Sequence, residues 1–230
     1  MTLTDGIQNF TDYFQHEACL VASLTGKVPG AGLAIYKKIL YASLVDGLAG
    51  IRYHSEGLGN HARFVRFLRE HTAWPTGNLV SSPILRKRLP AKSLLRDHLD
   101  SRLAGYSTML PNALALSALD DPIDVLEKYT QEEERKYLKG AEHFELFYRY
   151  RNFIVHEFRE PGYAMEIFAD GGDSPLYHGY TNSSDWSLLY PVGFFQARAE
   201  ESIKSIEQWL SSNNVDPYSR VRDSSDWTSR

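Results

Sequence analysis

Apolar residues recur at helical spacing through most of this chain. Ile7, Phe10, Phe14, Ala18 and Val21 stand three to four positions apart and predict a helix over 5–24, closed by the turn residues Gly26, Pro29 and Gly30. Leu33, Tyr36, Leu40, Leu44, Leu48 and Ile51 keep the same period and predict a long core helix over 32–53. A third helix is expected over 60–71. Trp74-Pro75-Thr76-Gly77 and Ser81-Ser82-Pro83 then interrupt any regular pattern, so 72–83 reads as a loop. Helical segments are expected again over 91–104 and 112–129. The stretch 132–158 has good helix formers, no proline and only Gly140, which predicts one long helix or two abutting ones. A last amphipathic helix is expected over 194–210.

The pattern changes after Pro161-Gly162. Tyr163, Met165 and Ile167 alternate with Ala164, Glu166 and Phe168 up to Asp170-Gly171-Gly172-Asp173, the grammar of a strand entering a hairpin. Short strands over 176–180 and 186–190 would complete a small antiparallel sheet. The expected fold is mainly α, a helical bundle with a β-rich insertion over about 161–192 before the last helix. A single domain over 1–213 is expected, with a polar tail over 214–230 that is held only if Tyr218 or Trp227 docks it.

Composition narrows the function classes. The 230 residues suffice for one sizeable core, and the formal net charge of −4 argues against non-specific coating of nucleic acid, which depends on many Lys and Arg displacing counterions. The one cysteine, Cys19, excludes an intramolecular disulfide and a cysteine-rich metal site, and its apolar neighbours predict a buried, inert thiol. No N-terminal stretch joins basic residues to an apolar region and a cleavage site, and no apolar run nears the ~20 residues of a membrane span, so a reducing cytoplasm and no membrane partner are expected.

Charge is segregated. Arg86, Lys87, Arg88, Lys92, Arg96 and Arg102 gather in one segment and Arg52, Arg63, Arg66 and Arg69 in another, against the acidic run Asp120, Asp121, Asp124, Glu127, Glu132, Glu133 and Glu134. Such a distribution permits a basic RNA-facing groove within an acidic protein; solvated helix faces are the alternative for each cluster. Gly26 to Gly32 lacks the Gly-Lys-Ser/Thr ending of a phosphate loop, no His and acidic pair has zinc spacing, and no Gly-x-Ser-x-Gly elbow is present. His54, His61, His98, His143 and His178 are scattered and carry no signal by themselves.

One stretch does carry chemistry: Arg151-Asn152-Phe153-Ile154-Val155-His156. Spacing alone is weak evidence, since Arg66 to His71 repeats it, but there Phe67 replaces the polar residue and Arg69-Glu70 replace apolar ones, the look of a solvated helix face. On a helix, Phe144, Phe147, Tyr148, Arg151, Ile154, Val155 and Phe158 share one broad face, so Arg151 is the one charge in an apolar stripe. Burying an unpaired guanidinium costs several kcal/mol, so an anion should meet it, either a carboxylate of another helix or a phosphate suited to the guanidinium fork. A neighbouring stripe holds Glu145, Arg149, Asn152, His156 and Arg159, in which Asn152 and His156 can touch across one turn.

The Arg-Asn-x-x-x-His stretch resembles the signature of the HEPN superfamily, compact helical domains many of which cut RNA. The likeness covers about 30–159 and the final helix; the region after Pro161 lies outside the minimal family pattern. It implies metal-independent endoribonuclease activity without a cofactor, giving 2′,3′-cyclic phosphate and 5′-hydroxyl ends. Arg151 and His156 would be catalytic, with Asn152 orienting them or the scissile phosphate, and Arg149, Arg159, Arg86, Lys87 and Arg88 would bind the RNA. It further implies a homodimer, a toxin-like or anti-phage setting, and an antitoxin or regulatory protein as partner. The alternative is a non-catalytic module that binds nucleotide, RNA or a protein.

Overall fold

The computed structural model describes residues 2–25, 32–106, 113–161, 172–179 and 186–222. These group into two compact units, Met1–Trp74 with Phe195–Arg230, and Pro75–Phe194.

In the first unit, helix α1 (Leu3–Ser23) begins at a capping box: the Thr2 hydroxyl accepts from the Asp5 N–H and the Asp5 carboxylate from the Thr2 N–H. It buries Ile7, Phe10, Thr11, Ala18 and Val21, close to the expected stripe. Cys19 is exposed, contrary to the expectation of a buried thiol. The reason is helical: it stands about 100° around the axis from buried Ala18, so apolar sequence neighbours are no guide to its side. Helices α2 (Gly32–Arg52) and α3 (Asn60–His71) follow the predicted spans.

The copy of the Arg–His spacing in α3 is structural. Arg66 faces solvent and pairs with Glu56 at 2.5 Å and Glu70 at 2.7 Å. His71, by contrast, is buried, stacks on Phe67 with ring centroids 4.7 Å apart and places Nδ1 2.9 Å from the Ser205 hydroxyl. Burial, and then the charge of Arg52, hold its pKa below the ordinary 6.5. A neutral His71 therefore contributes stability that is whole above about pH 6.5 and is lost as the pH falls, because only the unfolded chain takes up the proton readily. The urea midpoint is expected to be lower near ~pH 5 than near ~pH 7.5, and His71→Phe should shrink that difference.

The C-terminal part of the unit is α10 (Val192–Asn213), from Phe195 onward, and α11 (Pro217–Arg222). Tyr218 sets its ring edge-on to Phe10 at 6.2 Å, and Arg220 Nη1 donates to the carbonyls of Ile51 and Arg52 at 2.9 and 3.0 Å. The chain beyond Asn213 is thus docked as far as α11; Trp227 lies outside the described residues.

The second unit departs further from expectation. Strand β1 (Leu79–Val80) pairs antiparallel with β3 (Asp121–Pro122), and β2 (Ala113–Ala115), β4 (Leu176–Gly179) and β5 (Trp186–Leu189) form an antiparallel sheet in the order β2-β4-β5. Helices α4 (Ser82–Arg88), α5 (Leu94–Ala104), α6 (Leu116–Leu119), α7 (Ile123–Leu126), α8 (Arg135–Gly140) and α9 (His143–Glu157) complete it. In place of the helix expected over 112–129, residues 113–129 form two strands, two single α-helical turns and a 3-10 turn (Glu127–Tyr129). Pro122 cannot donate within a helix, and the Asp120 carboxylate is drawn into the core, where it accepts from the Ser82 N–H at 2.9 Å. The strand expected from Tyr163 and the first half of its turn, Asp170-Gly171, lie outside the described residues; the other two expected strands are present.

The 132–158 stretch is divided, as one of its two readings had it. Ser81 N–H donates to the Ala141 carbonyl at 2.9 Å and Phe144 N–H to the Gly77 carbonyl at 3.0 Å, so the break between α8 and α9 is pinned to the β1 segment. Gly77 has to be glycine here, since a Cβ would lie 2.4 Å from the buried Phe144 ring. Gly77→Ala is expected to destabilise by about 1–3 kcal/mol through overpacking, read as a fall in urea midpoint. Val80, Leu85, Leu89, Leu95, Leu99, Leu126, Leu138 and Ala141 form one apolar core of this unit. The described fold is mainly helical with a small antiparallel sheet, and among the described residues no helix is long and apolar enough to cross a membrane.

Candidate functional site

Helix α9 carries most of the candidate residues. Its buried face is His143, Phe144, Leu146, Phe147, Tyr150 and Ile154, which leaves Arg151 and Asn152 half-buried at its margins and His156 exposed in the last turn. Arg151 Nη1 donates to Asn152 Oδ1 at 2.9 Å. Asn152 stands one turn before His156, so the guanidinium leans toward the side of the helix that carries the imidazole, although their Cα positions are about 140° apart.

The helix ends at Phe158, an exposed residue in the left-handed region with φ 51°. That reversal brings Arg159 back over the helix, its Cζ 5.3 Å above the Phe153 ring and its Nη2 2.5 Å from Glu157.

Arg149 and Phe153 fall within about 60° of His156 around the axis. Both line a cleft of about 280 Å³ shared with Lys87 and Arg88 of α4, Pro161, and Trp186 and Leu188 of β5. The Trp186 ring lies over Gly179, its cross-strand partner, where a Cβ would come within 2.8 Å of it; the missing side chain is what seats the indole. Arg88 Nη1 donates to the Gly140 carbonyl at 2.6 Å. Arg149 Nη2 approaches the same glycine, and the two nitrogens lie 3.2 Å (Arg149) and 3.4 Å (Arg88) from where its Cβ would be. Among the described residues no carboxylate pairs with either guanidinium. Burial, and then the charge of Arg149, lower the pKa of Arg88.

The chain matches no family model, no curated protein and no solved structure. Of the residues singled out in the sequence, Lys87, Arg88 and Arg149 come together in the cleft, and Arg159 lies over its Phe153 wall. Arg86 turns to Asp100 instead. Arg96 approaches the same carboxylate at 3.8 Å and Arg102 pairs with Asp121, so much of the basic segment is balanced locally. Arg151, Asn152 and His156 sit on α9 outside the cleft lining.

A buried polar cluster escaped the sequence reading. Asp120, taken as part of an acidic run, is only 4% exposed and accepts from the Tyr177 hydroxyl at 2.9 and 3.0 Å, with His143 Nε2 2.7 Å away. His143 Nδ1 lies 3.0 Å from the Tyr190 hydroxyl, and the Tyr177 hydroxyl oxygen also lies 2.6 Å from the Ser81 hydroxyl. Burial, reinforced by the Asp120 charge, raises both tyrosine pKa values well above 10. The one available signal was Asp120 standing at the end of the apolar Ala113–Leu119 stretch. The Tyr190 ring reaches the cleft wall, so this cluster braces the β5 side of it. Among the described residues no group of three or more His, Cys, Asp or Glu is placed to hold a metal ion.

Proposed function

We propose that this chain is a HEPN-type endoribonuclease that cleaves RNA without a metal and works as a homodimer, in a toxin-like or anti-phage role. The observation that carries the reading is the Arg151–Asn152 hydrogen bond of 2.9 Å beside an exposed His156 one turn on. The chemistry needs little more. The ribose 2′-hydroxyl loses its proton and its oxygen attacks the adjacent phosphorus; the bond from phosphorus to the 5′-oxygen breaks, and that oxygen takes a proton. A neutral imidazole can remove the first proton or an imidazolium deliver the second, and a guanidinium steadies the charge that grows on the phosphoryl oxygens. His156 is assigned a proton transfer, Arg151 the phosphoryl oxygens, and Asn152 the orientation of Arg151. A two-fold pair would supply a second His156 for the other transfer.

The test is to incubate purified protein with RNA in the presence of a chelator. Cleavage is expected from the native chain and not from the Arg151→Ala, His156→Ala double variant; cleavage that survives both substitutions would sink the assignment, and strict dependence on added divalent metal would count against the mechanism. Sedimentation should give twice the mass of the chain.

A second reading, a non-catalytic module that binds nucleotide or RNA, is favoured by one specific observation: the paired guanidiniums of Arg88 and Arg149 line a cleft to which Arg151 and His156 do not contribute.

A further inference from the structure

Gly47 and Gly50 stand inside α2, where glycine weakens a helix. Packing asks for neither. A Cβ on Gly47 would meet the Phe14 ring at an ordinary 3.8 Å, a Cβ on Gly50 would meet no described side chain within 4 Å, and neither residue has a positive φ. Their bare backbone is instead the floor of a cavity of about 450 Å³, a size within the range of ligand sites, which Ser43 and Asp46 of the same helix, Arg63 of α3 and Arg220 of α11 also line.

Arg63 supplies a donor that the chain does not use. Of the arginines clustered in α2 and α3, Arg52 and Arg66 are balanced by Glu56 and Glu70. Arg63 has no carboxylate partner among the described residues: its Nη2 donates to the Asn60 side-chain oxygen at 3.0 Å, and its Nε is buried without a hydrogen bond. A charged donor shut away from water and left unmatched is costly, and an acceptor in the cavity relieves it. Arg220 gives Nη1 to the Ile51 and Arg52 carbonyls at 2.9 and 3.0 Å and likewise has no carboxylate partner among the described residues. Acceptors stand toward the other end of the floor. Ser43 and Asp46 precede the two glycines, and the Ser43 hydroxyl donates to the Ile39 carbonyl at 2.8 Å, which leaves its oxygen to accept. A carboxylate has about four acceptor sites, so Asp46 can receive a cation beside the partner it already has. From Asp46 to Ile51, where Arg220 is anchored, α2 rises roughly 7–8 Å. A dianion such as free phosphate would face the Asp46 charge, whereas a molecule with a carboxylate at one end and an ammonium at the other meets its complement at both.

We propose that this cavity binds a small zwitterion whose carboxylate and ammonium are separated by a short aliphatic chain. The carboxylate accepts from Arg63 Nε and from Arg220, the chain lies over Gly47 and Gly50, and the ammonium donates to Asp46 and Ser43. The lining belongs wholly to the first unit, and the site stands whether or not His156 cuts RNA.

The experiment is a ligand-observed NMR titration of the full chain with δ-aminovalerate, glutarate and cadaverine, chains of similar length whose ends are mixed, both anionic and both cationic. δ-Aminovalerate should bind about tenfold or more tighter than either of the others. Arg63→Gln should weaken that binding about 10- to 100-fold, because the buried charged donor is gone. Asp46→Asn should weaken δ-aminovalerate about tenfold and leave glutarate bound as well as before or better, since the second carboxylate no longer meets a like charge. Gly50→Leu puts a side chain into the open space of the cavity and should abolish binding of δ-aminovalerate. Its melting temperature should equal or exceed that of the native chain, since leucine suits a helix better than glycine, so a loss of binding there is not a loss of fold. Failure of δ-aminovalerate to bind, equal or tighter binding of glutarate or cadaverine, or binding that survives Gly50→Leu overturns the proposal.

Discussion

Replacing His156 by alanine is expected to lower the RNA cleavage rate about 10²- to 10⁴-fold while leaving stability within about 0.5 kcal/mol. The two halves of that expectation come from the same fact. His156 is exposed in the last turn of α9, outside the buried face formed by Leu146, Phe147, Tyr150 and Ile154, so its removal opens no cavity. A loss of that size without a loss of fold can only come from the reacting groups. Arg151→Ala should cost about 10²- to 10³-fold, since one strong donor to the charge developing in the transition state is removed. Arg151→Lys should recover only a small part, because lysine keeps the charge and loses the planar fork. Single-turnover rates on a short RNA, set beside thermal melts of each variant, measure both halves.

Asp120→Ala is expected to destabilise the protein by about 3–5 kcal/mol, the largest effect of any single core substitution named here. Its carboxylate accepts from the Ser82 N–H and the Tyr177 hydroxyl and lies 2.7 Å from His143 Nε2, all in a region closed to water. Alanine strands the Ser82 donor and His143 at once, and each buried group left without its partner costs about 1–3 kcal/mol. Asp120→Asn should cost less, since an amide oxygen can still accept from Ser82. Urea denaturation read by tryptophan fluorescence measures the difference, and a change under about 1 kcal/mol for the alanine variant would show that the cluster is not cooperative. The β5 wall of the cleft is tied to this cluster through Tyr190.

Where the chain obeys one period for several turns, the sequence was enough. Helix α3 matches the expected 60–71, and α1 and α2 each lie within a residue or two of expectation, because their apolar positions face a single core. The region 112–129 failed for the opposite reason. Its Ala and Leu residues read as helix formers, but the decisive partners are remote: Ala113–Ala115 is paired with Leu176–His178, and Asp120 with Ser82, Tyr177 and His143. Non-local pairing of that kind leaves no periodic trace. The candidate site divides the same way. Arg149, Asn152 and His156 could be placed on one side of α9 by counting along a helix, and Lys87 and Arg88 were visible as charge. That Arg88 faces the cleft while Arg86, two residues earlier, turns to Asp100 follows from the rotation of α4 about its axis, and that Trp186 completes the wall follows from a strand register. Cys19 and Asp120 went wrong together, each judged by sequence neighbours rather than by the side of the element it occupies.

The ends of the RNA fragments report which oxygen attacks phosphorus. RNA incubated with the protein in excess chelator should yield fragments with 2′,3′-cyclic phosphate and 5′-hydroxyl termini, resistant to 3′-polyadenylation until the cyclic phosphate is removed, and a single 2′-deoxyribose at the scissile position should block the cut. Fragments with 3′-hydroxyl and 5′-phosphate ends, or cutting that proceeds through the deoxyribose, would contradict attack by the 2′-oxygen and with it the roles of Arg151 and His156.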